Sequence, residues 1–527
     1  MIDRQTPGAV KYIAPLAFLL AFAGTRPAFA QPADDASGPT PSEPAKPDEP
    51  APPAEPSEPA AAPESAPKVK AEASPVAAVE KAEAEPATDD SWYQRAPLTL
   101  SIGEGKKKWG VTFYGFVEAD FITDSTRSYG DSIGSELVAR GDTYAGKVGR
   151  SQFSVRNTRL GLKFETPESG GVRPSAVIEG DFFGASSVSE TSEHNVYTSP
   201  TFRLRHAYLS LDNDVVNVLA GQTYDVFGWQ NYFSPMSAEF LGLPNMIFSR
   251  NTQFRLSHTF GAGGPVSVDI AASAVRPAQR DSSVPDANAG LRLSIDSWKG
   301  ITTPGSSGTI ALPLSIGVSG VARRFRVNAF APPPAQSSNT TTGWGLSVDA
   351  LLPIIPASNA NDRGNRLTIT GSFVTGTGIA DLLTAGGGAS FPTLPNPAQA
   401  NPPPEYDQNI DNGLVSFDTQ GVLHSIDWQA FKVGLQYYLP PTGRLIFSAN
   451  VTQAHSKNMA KLFPKGGAEI ELLGRVADTS LYADANLFWD ATPAVRFGLS
   501  GQYTQVKYLD GDKPHNLRGM GLALYSF

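Results

Sequence analysis

The stretch DTSLYADANLFW, residues 478–489, alternates between polar and apolar side chains from Ser480 to Leu487. Its apolar row consists of Leu481, Ala483, Ala485, Leu487 and Trp489, and its polar row of Ser480, Tyr482, Asp484 and Asn486. A period of two over this length is typical of a β-strand with one apolar and one wet face. The same alternation recurs in residues 431–439, 444–453 and 494–507. Strands of about this length can cross a membrane when they are tilted.

Extended over the chain, the pattern predicts sixteen strands, an even number. They are residues 109–121, 151–165, 173–184, 201–212, 215–227, 250–260, 265–275, 288–298, 309–326, 342–353, 364–377, 425–439, 443–455, 477–489, 494–508 and 516–527. Most connections after odd-numbered strands are long, as at 122–150, 185–200, 228–249, 378–424 and 456–476. Several connections after even-numbered strands are short, as at 212–214, 440–442 and 490–493.

Long loops at one end and tight turns at the other are typical of bacterial outer-membrane barrels, whereas alternation alone would also suit a soluble β-sandwich. We therefore predict an all-β fold for residues 91–527, a transmembrane antiparallel β-barrel of about 16 strands. The loop of residues 228–249 is unusually apolar for a long connection. It could pack inside the barrel or reach a neighbouring subunit, and the sequence leaves both open.

The N-terminal region differs from the rest in composition. Residues 1–30 have a basic start, a short apolar stretch and the small-residue cleavage site Ala28-Phe29-Ala30, which together predict a secretory signal peptide. Residues 31–90 contain 14 Pro, 16 Ala, 14 Asp and Glu, and 4 Lys, which predicts a disordered acidic spacer in the periplasm. Without these two segments the chain carries 35 Lys and Arg against 36 Asp and Glu, so the predicted barrel is nearly neutral.

Several classes of function find no support in the sequence. The chain has no Cys and only 6 His, so we expect no metal site and no cofactor. Its formal charge of −9 argues against a nucleic-acid partner. After the first thirty residues, no apolar run is long enough for a membrane helix. We find no hydrolase or nucleotide-binding motif, and we expect that the protein is not an enzyme.

The chain ends in GMGLALYSF, residues 519–527, with Gly521, Ala523, Tyr525 and Phe527 on one face. An outward row closed by aromatic residues resembles the terminal signal that bacterial outer-membrane barrels present to their insertion machinery. We therefore expect Phe527 to contact that machinery and the outward rows to contact outer-membrane lipid. Aromatic residues at other predicted strand ends, such as Trp298 and Trp489, fit the girdles of a membrane barrel.

The opposite faces of the first strands carry charged residues that we expect to line the pore. These candidate pore residues are Glu118, Asp120, Arg159, Lys163, Glu179, Asp181, Arg203, Arg205 and Arg255. They could simply pair across the lumen and hold the wall together. Alternatively, surplus arginine at a constriction would attract anions, because its planar fork suits carboxylate and phosphate. Arg156 shares the parity of Leu160, so we expect it on the outer rim or beyond a bulge.

Five segments together resemble one known family. They are YGFVEAD (114–120), RLGL (159–162), EGDFFG (179–184), FRLRHAYL (202–209) and GQT (221–223). In order and spacing they are similar to the DcaP-like family of trimeric outer-membrane porins and, more distantly, to the phosphate-selective porins. The specific likeness covers roughly residues 109–260.

The resemblance implies a sixteen-stranded homotrimeric barrel that passes small anionic solutes, dicarboxylates among them. It implies pore roles for Arg159, Arg203, Arg205, Glu179 and Asp181. Members of the family commonly begin with a helical coiled-coil segment, but this chain has the Pro/Ala/Glu-rich spacer there instead. We therefore predict a porin for passive diffusion. A structural barrel whose spacer contacts the cell wall or a periplasmic partner, and a barrel-embedded enzyme, are the alternatives.

Overall fold

The computed structural model describes a large part of the predicted barrel. The described residues are 98–133, 137–184, 200–228, 234–277, 282–305, 308–329, 336–357, 363–384, 410–411, 413–418, 421–462 and 476–527. The predicted signal peptide and the predicted spacer lie outside the described residues.

Within these ranges the chain is almost entirely β-structure. The strands are β1 Leu98–Ile102, β2 Trp109–Asp124, β3 Arg150–Ser154, β4 Arg159–Glu165, β5 Arg173–Asp181, β6 Arg203–Asp212, β7 Asn217–Tyr224, β8 Arg250–Phe260, β9 Val266–Val275, β10 Asp286–Gly305, β11 Gly308–Asn328, β12 Ser338–Ile355, β13 Arg366–Thr377, β14 Val415–Phe417, β15 Leu423–Ser425, β16 Asp427–Tyr438, β17 Leu445–Ser456, β18 Ala477–Asp490, β19 Val495–Tyr508 and β20 His515–Ser526. The helices are α1 Tyr144–Lys147 and α2 Met459–Leu462, with 3-10 turns at Gly105–Lys107 and Ala380–Leu382. In the described ranges, no helix is long and apolar enough to cross a membrane.

The strands form one closed antiparallel barrel. Each wall strand pairs with the next along the chain, and β20 pairs back onto β2 from Phe116 opposite Ser526 to Asp124 opposite Arg518. Strands β3 and β4 both pair with β2 and together make one interrupted wall strand. The small hairpin β14–β15 lies outside this ring, so the wall has sixteen strand positions and the predicted fold is confirmed.

Strand β1 was not among the predicted strands. It pairs with the beginning of β2, from Leu98 opposite Phe113 to Ile102 opposite Trp109. The terminal strand stops beside it, because Phe527 exchanges backbone hydrogen bonds with Gly115. Strand β1 and the terminal residue Phe527 thus share one edge of β2. Both segments satisfy backbone groups along this edge, and an unpaired backbone group in lipid would cost several kcal/mol.

The outward rows of the wall are apolar, as the alternation predicted. Large exposed side chains on these rows include Phe113, Val117, Phe121, Leu160, Leu162, Phe254, Leu256, Leu487, Trp489, Phe497, Leu499 and Tyr525. Phe527 stacks on Phe113 with ring centroids 4.9 Å apart, and this pair adds an aromatic patch where the barrel closes. Such a band suits hydrocarbon rather than water, which is the arrangement of a membrane barrel.

Long connections gather at one end of the barrel, the loop end, and short ones at the other, the turn end. The described residues 234–249, here called the inner loop, fold into the barrel and do not extend away from it. An isolated bridge between Ile247 and Leu383 joins the inner loop to the segment after β13. Buried apolar side chains from these loops and the wall form a core inside the barrel, among them Phe227, Leu243, Met246, Ile247, Leu382, Leu383, Trp428 and Tyr482.

The hairpin formed by β10 and β11 extends beyond the predicted strand of residues 288–298. The pairing of β10 with β9 ends at Ile295, and its register with β11 shifts twice after that point. Arg366 then donates to the carbonyl of Gly300 at 3.0 Å, and the Thr302 N–H donates to the Tyr438 hydroxyl at 3.1 Å. Because Tyr438 and Arg366 are buried on the inner face, the extended hairpin packs across part of the turn end.

Candidate pore constriction

The inner loop is fixed to one side of the barrel wall by hydrogen bonds. The Ser237 hydroxyl donates to Asp484 at 2.6 Å, and the Met236 N–H donates to Gln436 at 2.8 Å. Similar bonds join Thr452 and Ser448 to loop carbonyls, and Lys432 to Ser234. These wall residues belong to β16, β17 and β18. The loop therefore fills the side of the lumen nearest these strands.

An arginine cluster occupies the facing wall. Arg203 makes two hydrogen bonds to Asp181, at 2.9 and 2.6 Å. Arg205 bridges the two carboxylates, reaching Glu179 and Asp181 at 2.9 Å each. Arg159 lies 3.5 Å from Glu179 on the next strand. The structure thus brings together the five residues for which the family resemblance implied pore roles.

The local backbone explains why these side chains converge. On β4, β5 and β6 the polar rows face inward, and Arg159 stands opposite Asp181 in the register of β4 and β5. Strand β6 has a bulge opposite Glu179 and Gly180, which gives it one extra residue at this level. A bulge of this kind re-aims side chains locally. Arg203 and Arg205 already share one face of β6, and the bulge changes the parity after them, so that His206 also faces inward, opposite Glu179.

The three arginines differ in exposure, and this separates their roles. The side chain of Arg205 is only 2% exposed, so it serves mainly as the buried counter-ion of both carboxylates. The side chains of Arg203 and Arg159 are 29% and 25% exposed, and they offer guanidinium surface to the lumen. A bidentate arginine is pre-organised for carboxylate ligands.

A fourth arginine, Arg250, was missed in the sequence. Its guanidinium lies over the rings of Tyr224 and Phe248, 5.7 Å from each centroid, within electrostatic range of the other arginines. Four arginines therefore face two carboxylates here, and the cluster has a surplus of positive charge. Arg250 is the first residue of β8, directly after the inner loop. At that position the alternating pattern does not show whether a side chain points inward or outward.

Two further predicted cations line the lumen outside the arginine cluster. Lys163 lies four residues beyond Arg159 toward the turn end, on the same face of β4, and forms an ion pair with Glu165 at 2.9 Å. Arg255 donates to Gln253 and to the backbone carbonyl of Tyr224. The lumen is thus lined with basic groups beyond the arginine cluster itself.

The carboxylates of Glu118 and Asp120 are almost fully buried on the inner face of β2. Asn157 donates to Glu118 at 3.0 Å. Both oxygens of Asp120 lack a hydrogen-bond partner within the described ranges. The carboxylates hydrogen-bonded to the arginine cluster are therefore those of Glu179 and Asp181. Glu118 and Asp120 lie on the neighbouring strand, and Glu118 is within electrostatic range of Arg159.

Arg156 does not lie on the outer rim, one of the two positions expected for it. The wall is interrupted between β3 and β4, where the Thr158 N–H donates to the Val155 carbonyl and closes a tight turn. This turn changes the parity and directs Arg156 inward, to an ion pair with Asp131 at 2.9 Å and over the ring of Phe183. The other expected position, beyond a bulge, is closer to the observed one, because the turn interrupts the strand just before Arg156 changes face.

Glu239 makes the packing of the inner loop sensitive to pH. Its side chain is fully buried, accepts the Ile133 N–H at 3.2 Å and lies 3.8 Å from Arg518. Burial raises the pKa of Glu239 to about 7, with Asp131 acting in the same direction and Arg518 opposing it. Because this pKa exceeds the usual value of 4.5, docking is strongest when the carboxyl is protonated. It weakens as pH rises from about 4.5 to 7, by up to about 3 kcal/mol.

We therefore expect larger current fluctuations from single channels at pH 8.5 than at pH 5, because the charged carboxylate loosens the loop. Glu239→Gln should remove this difference, as the amide does not titrate. Glu168→Gln, on a turn at the other end of the barrel, is the matched control and should retain it. Equal fluctuations at both pH values in the unmodified protein would contradict the effect.

Comparison with known proteins supports the fold. No protein-family model matches the sequence, and no curated protein matches it significantly. The outer-membrane channel DcaP of Acinetobacter baumannii is 18% identical, with a TM-score of 0.54 over 81% of this chain and 100% of that one. OmpF of Salmonella typhi and an anion-selective porin of Comamonas acidovorans are 12% and 10% identical, over 81% and 80% of this chain and all of theirs, with TM-scores of 0.46 and 0.42. The chain therefore has a fold similar to that of the DcaP channel, as the sequence resemblance predicted.

Proposed function

We propose that the protein is an outer-membrane porin that passes small hydrophilic solutes by passive diffusion and favours anions. The observation that supports this most directly is the arginine cluster opposite the inner loop. There Arg159, Arg203, Arg205 and Arg250 outnumber Glu179 and Asp181, within a barrel similar in fold to an outer-membrane channel.

The physical basis is electrostatic. A narrow passage between the inner loop and the arginine cluster concentrates the field of the surplus arginines, which raises the local concentration of anions. Carboxylates, including dicarboxylates, would gain most because guanidinium groups can bind them with two hydrogen bonds. Passive diffusion needs no enzyme chemistry, and we propose none.

The reversal potential of the refolded protein in a planar bilayer under a salt gradient tests this proposal. An anion-selective potential supports it. A folded barrel that conducts without preference, or favours cations, would exclude the arginine argument. A folded barrel without conductance would favour a structural or enzymatic role.

Arg203→Gln should lower the anion-to-cation permeability ratio by about sixfold. In water, a unit charge roughly 8 Å away changes the energy of an anion by about 0.5 kcal/mol and that of a cation by the same amount in the opposite sense, and the two changes together correspond to this factor. Arg203 is the better target because Arg205 is buried and holds both carboxylates. Lys513→Gln, which removes an exposed cation between β19 and β20, is the control and should leave the ratio unchanged. An unaltered ratio in the Arg203 variant would argue against a selectivity role.

The remaining parts of the proposal concern export and assembly. We propose that residues 1–30 direct export, that residues 31–90 form a periplasmic spacer, and that the barrel lies in the bacterial outer membrane as a homotrimer. Insertion would be guided by the terminal residues up to Phe527. Deleting residues 31–90 tests the spacer, since lost envelope integrity with unchanged flux would give it a structural role.

A further inference from the structure

The lumen contains a second polar site below the arginine cluster. A cavity of ≈ 720 Å³ at the turn end would hold a small solute. It is lined by inward residues that follow the arginine cluster on β4, β5 and β6, and by residues of the turns before β2 and after β4. Lys163 is four residues beyond Arg159 on β4, which places the two about 13 Å apart along the strand. A solute that leaves the arginine cluster toward the turn end would reach this cavity next. We call it the vestibule.

The charges of the vestibule almost cancel. Four cations and three carboxylates line it, namely Lys106, Lys108, Lys163, Arg173, Glu165, Glu168 and Asp212. Lys163 pairs with Glu165 at 2.9 Å, and Lys106 pairs with Glu168 at 2.6 Å. The vestibule therefore cannot hold an anion by net charge alone, unlike the arginine cluster.

Hydroxyl groups lie between these ion pairs. Ser175, Tyr208 and Ser210 line the same cavity, and the Ser210 hydroxyl donates to Asp212 at 2.8 Å. The surface thus offers hydrogen-bond donors and acceptors side by side. A solute that carries only acceptors, such as an unsubstituted dicarboxylate, can accept from the donors of the vestibule but has no hydrogen to donate to the carboxylate oxygens beside them. A hydroxylated solute supplies both donors and acceptors and can bond to both kinds of group.

We propose that the vestibule is a second binding site for polyhydroxylated carboxylates, that is, sugar acids. This inference rests on the proposed anion-selective porin function and narrows its substrate class. The arginine cluster recognises the carboxylate, and the vestibule recognises the hydroxyl groups. The two sites act in succession because they are too far apart for one six-carbon acid to occupy both fully.

Block of the ion current by D-glucarate and by adipate tests this directly. Both are six-carbon dicarboxylates of the same charge, and only glucarate carries hydroxyl groups. With the full-length protein in a planar bilayer, we expect glucarate to block at an about tenfold lower concentration, the effect of one or two net hydrogen bonds. Tyr208→Phe combined with Ser175→Ala should bring the two concentrations together. Tyr525→Phe, the same change on the outer face, should preserve the tenfold difference.

The outcomes separate this inference from the function on which it rests. Equal block by both acids in the unmodified protein would overturn the vestibule site and leave the anion pathway intact. A tenfold difference that persists in the double variant would overturn the assignment to these residues. No block by either acid, together with no anion preference, would overturn the anion-selective part of the proposed function and the vestibule with it.

Discussion

Deleting residues 235–247 of the inner loop and joining the ends with two glycines should raise single-channel conductance roughly two- to threefold, because a sixteen-stranded barrel is wide enough to leave an aqueous channel when nothing fills it. The deleted residues occupy the lumen beside β16 to β18 and contribute Met236, Ala238 and Phe240 to an apolar cluster there. Removing them would open that side of the barrel. Anion preference should fall at the same time, since a wider passage screens the arginine cluster more strongly.

Folding of the deletion variant is checked by its heat-modifiable migration on a gel. The milder pair Ser448→Ala and Thr452→Val removes two anchors of the loop without shortening the chain. It should increase current fluctuations while the mean conductance stays within the wild-type range. A folded deletion variant with unchanged conductance would show that the inner loop does not limit the passage, and the constriction would then lie elsewhere.

The strand positions were predictable because one physical rule covers almost the whole wall. Each strand has lipid on one side and the polar lumen or loops on the other, so the side-chain period of two appears directly in the sequence. The strands that were missed have different causes. Strand β1 alternates, with Leu98, Leu100 and Ile102 exposed, but it is only five residues long and completes an edge left by β20. The extension of β10 does not face lipid and lumen in turn, because it packs across the turn end.

The site was predictable in part for the same reason. Alternation correctly gives the inward faces of β4, β5 and β6, which carry Arg159, Glu179, Asp181, Arg203 and Arg205. It cannot give the pairing among them, because that depends on the register between neighbouring strands and on the bulge that brings His206 inward as well. It also fails where strands begin or break, which is why Arg250 was missed and Arg156 was ambiguous.

The location of the inner loop could not be predicted from its own sequence. Its apolar composition shows that it must be covered, but a neighbouring subunit would cover it as well as the barrel interior. What decides between them is the set of polar anchors on distant strands, such as Gln436 and Asp484. These are 200 and 247 residues from their loop partners in the chain, and no local pattern connects them to the loop.

Arg518→Met should destabilise the barrel by about 3–5 kcal/mol, the cost of leaving a buried charge without its partner. The side chain of Arg518 is 1% exposed, and that of Asp124, its partner at 2.8 Å, is fully buried. Arg518 also donates to the carbonyls of Gly130 and Asp131 in the loop after β2. The substitution would therefore remove the cation beside Asp124 and Glu239 and the donor to two carbonyls, and among the described residues Asp124 would keep only the amide of Asn516. Urea unfolding of the refolded barrel, followed by tryptophan fluorescence, measures the loss.

Two further variants identify the cause of the loss. Arg173→Met makes the same change at an exposed pair, 3.4 Å from Asp214, and should cost under about 1 kcal/mol because solvent screens that interaction. Adding Asp124→Asn to Arg518→Met should restore at least half of the lost stability, since the buried negative charge is then gone. If the double variant is no more stable than Arg518→Met alone, the unpaired carboxylate is not the cause. The loss would then arise from the loop carbonyls, and the role of Arg518 would be to hold that loop rather than to neutralise Asp124.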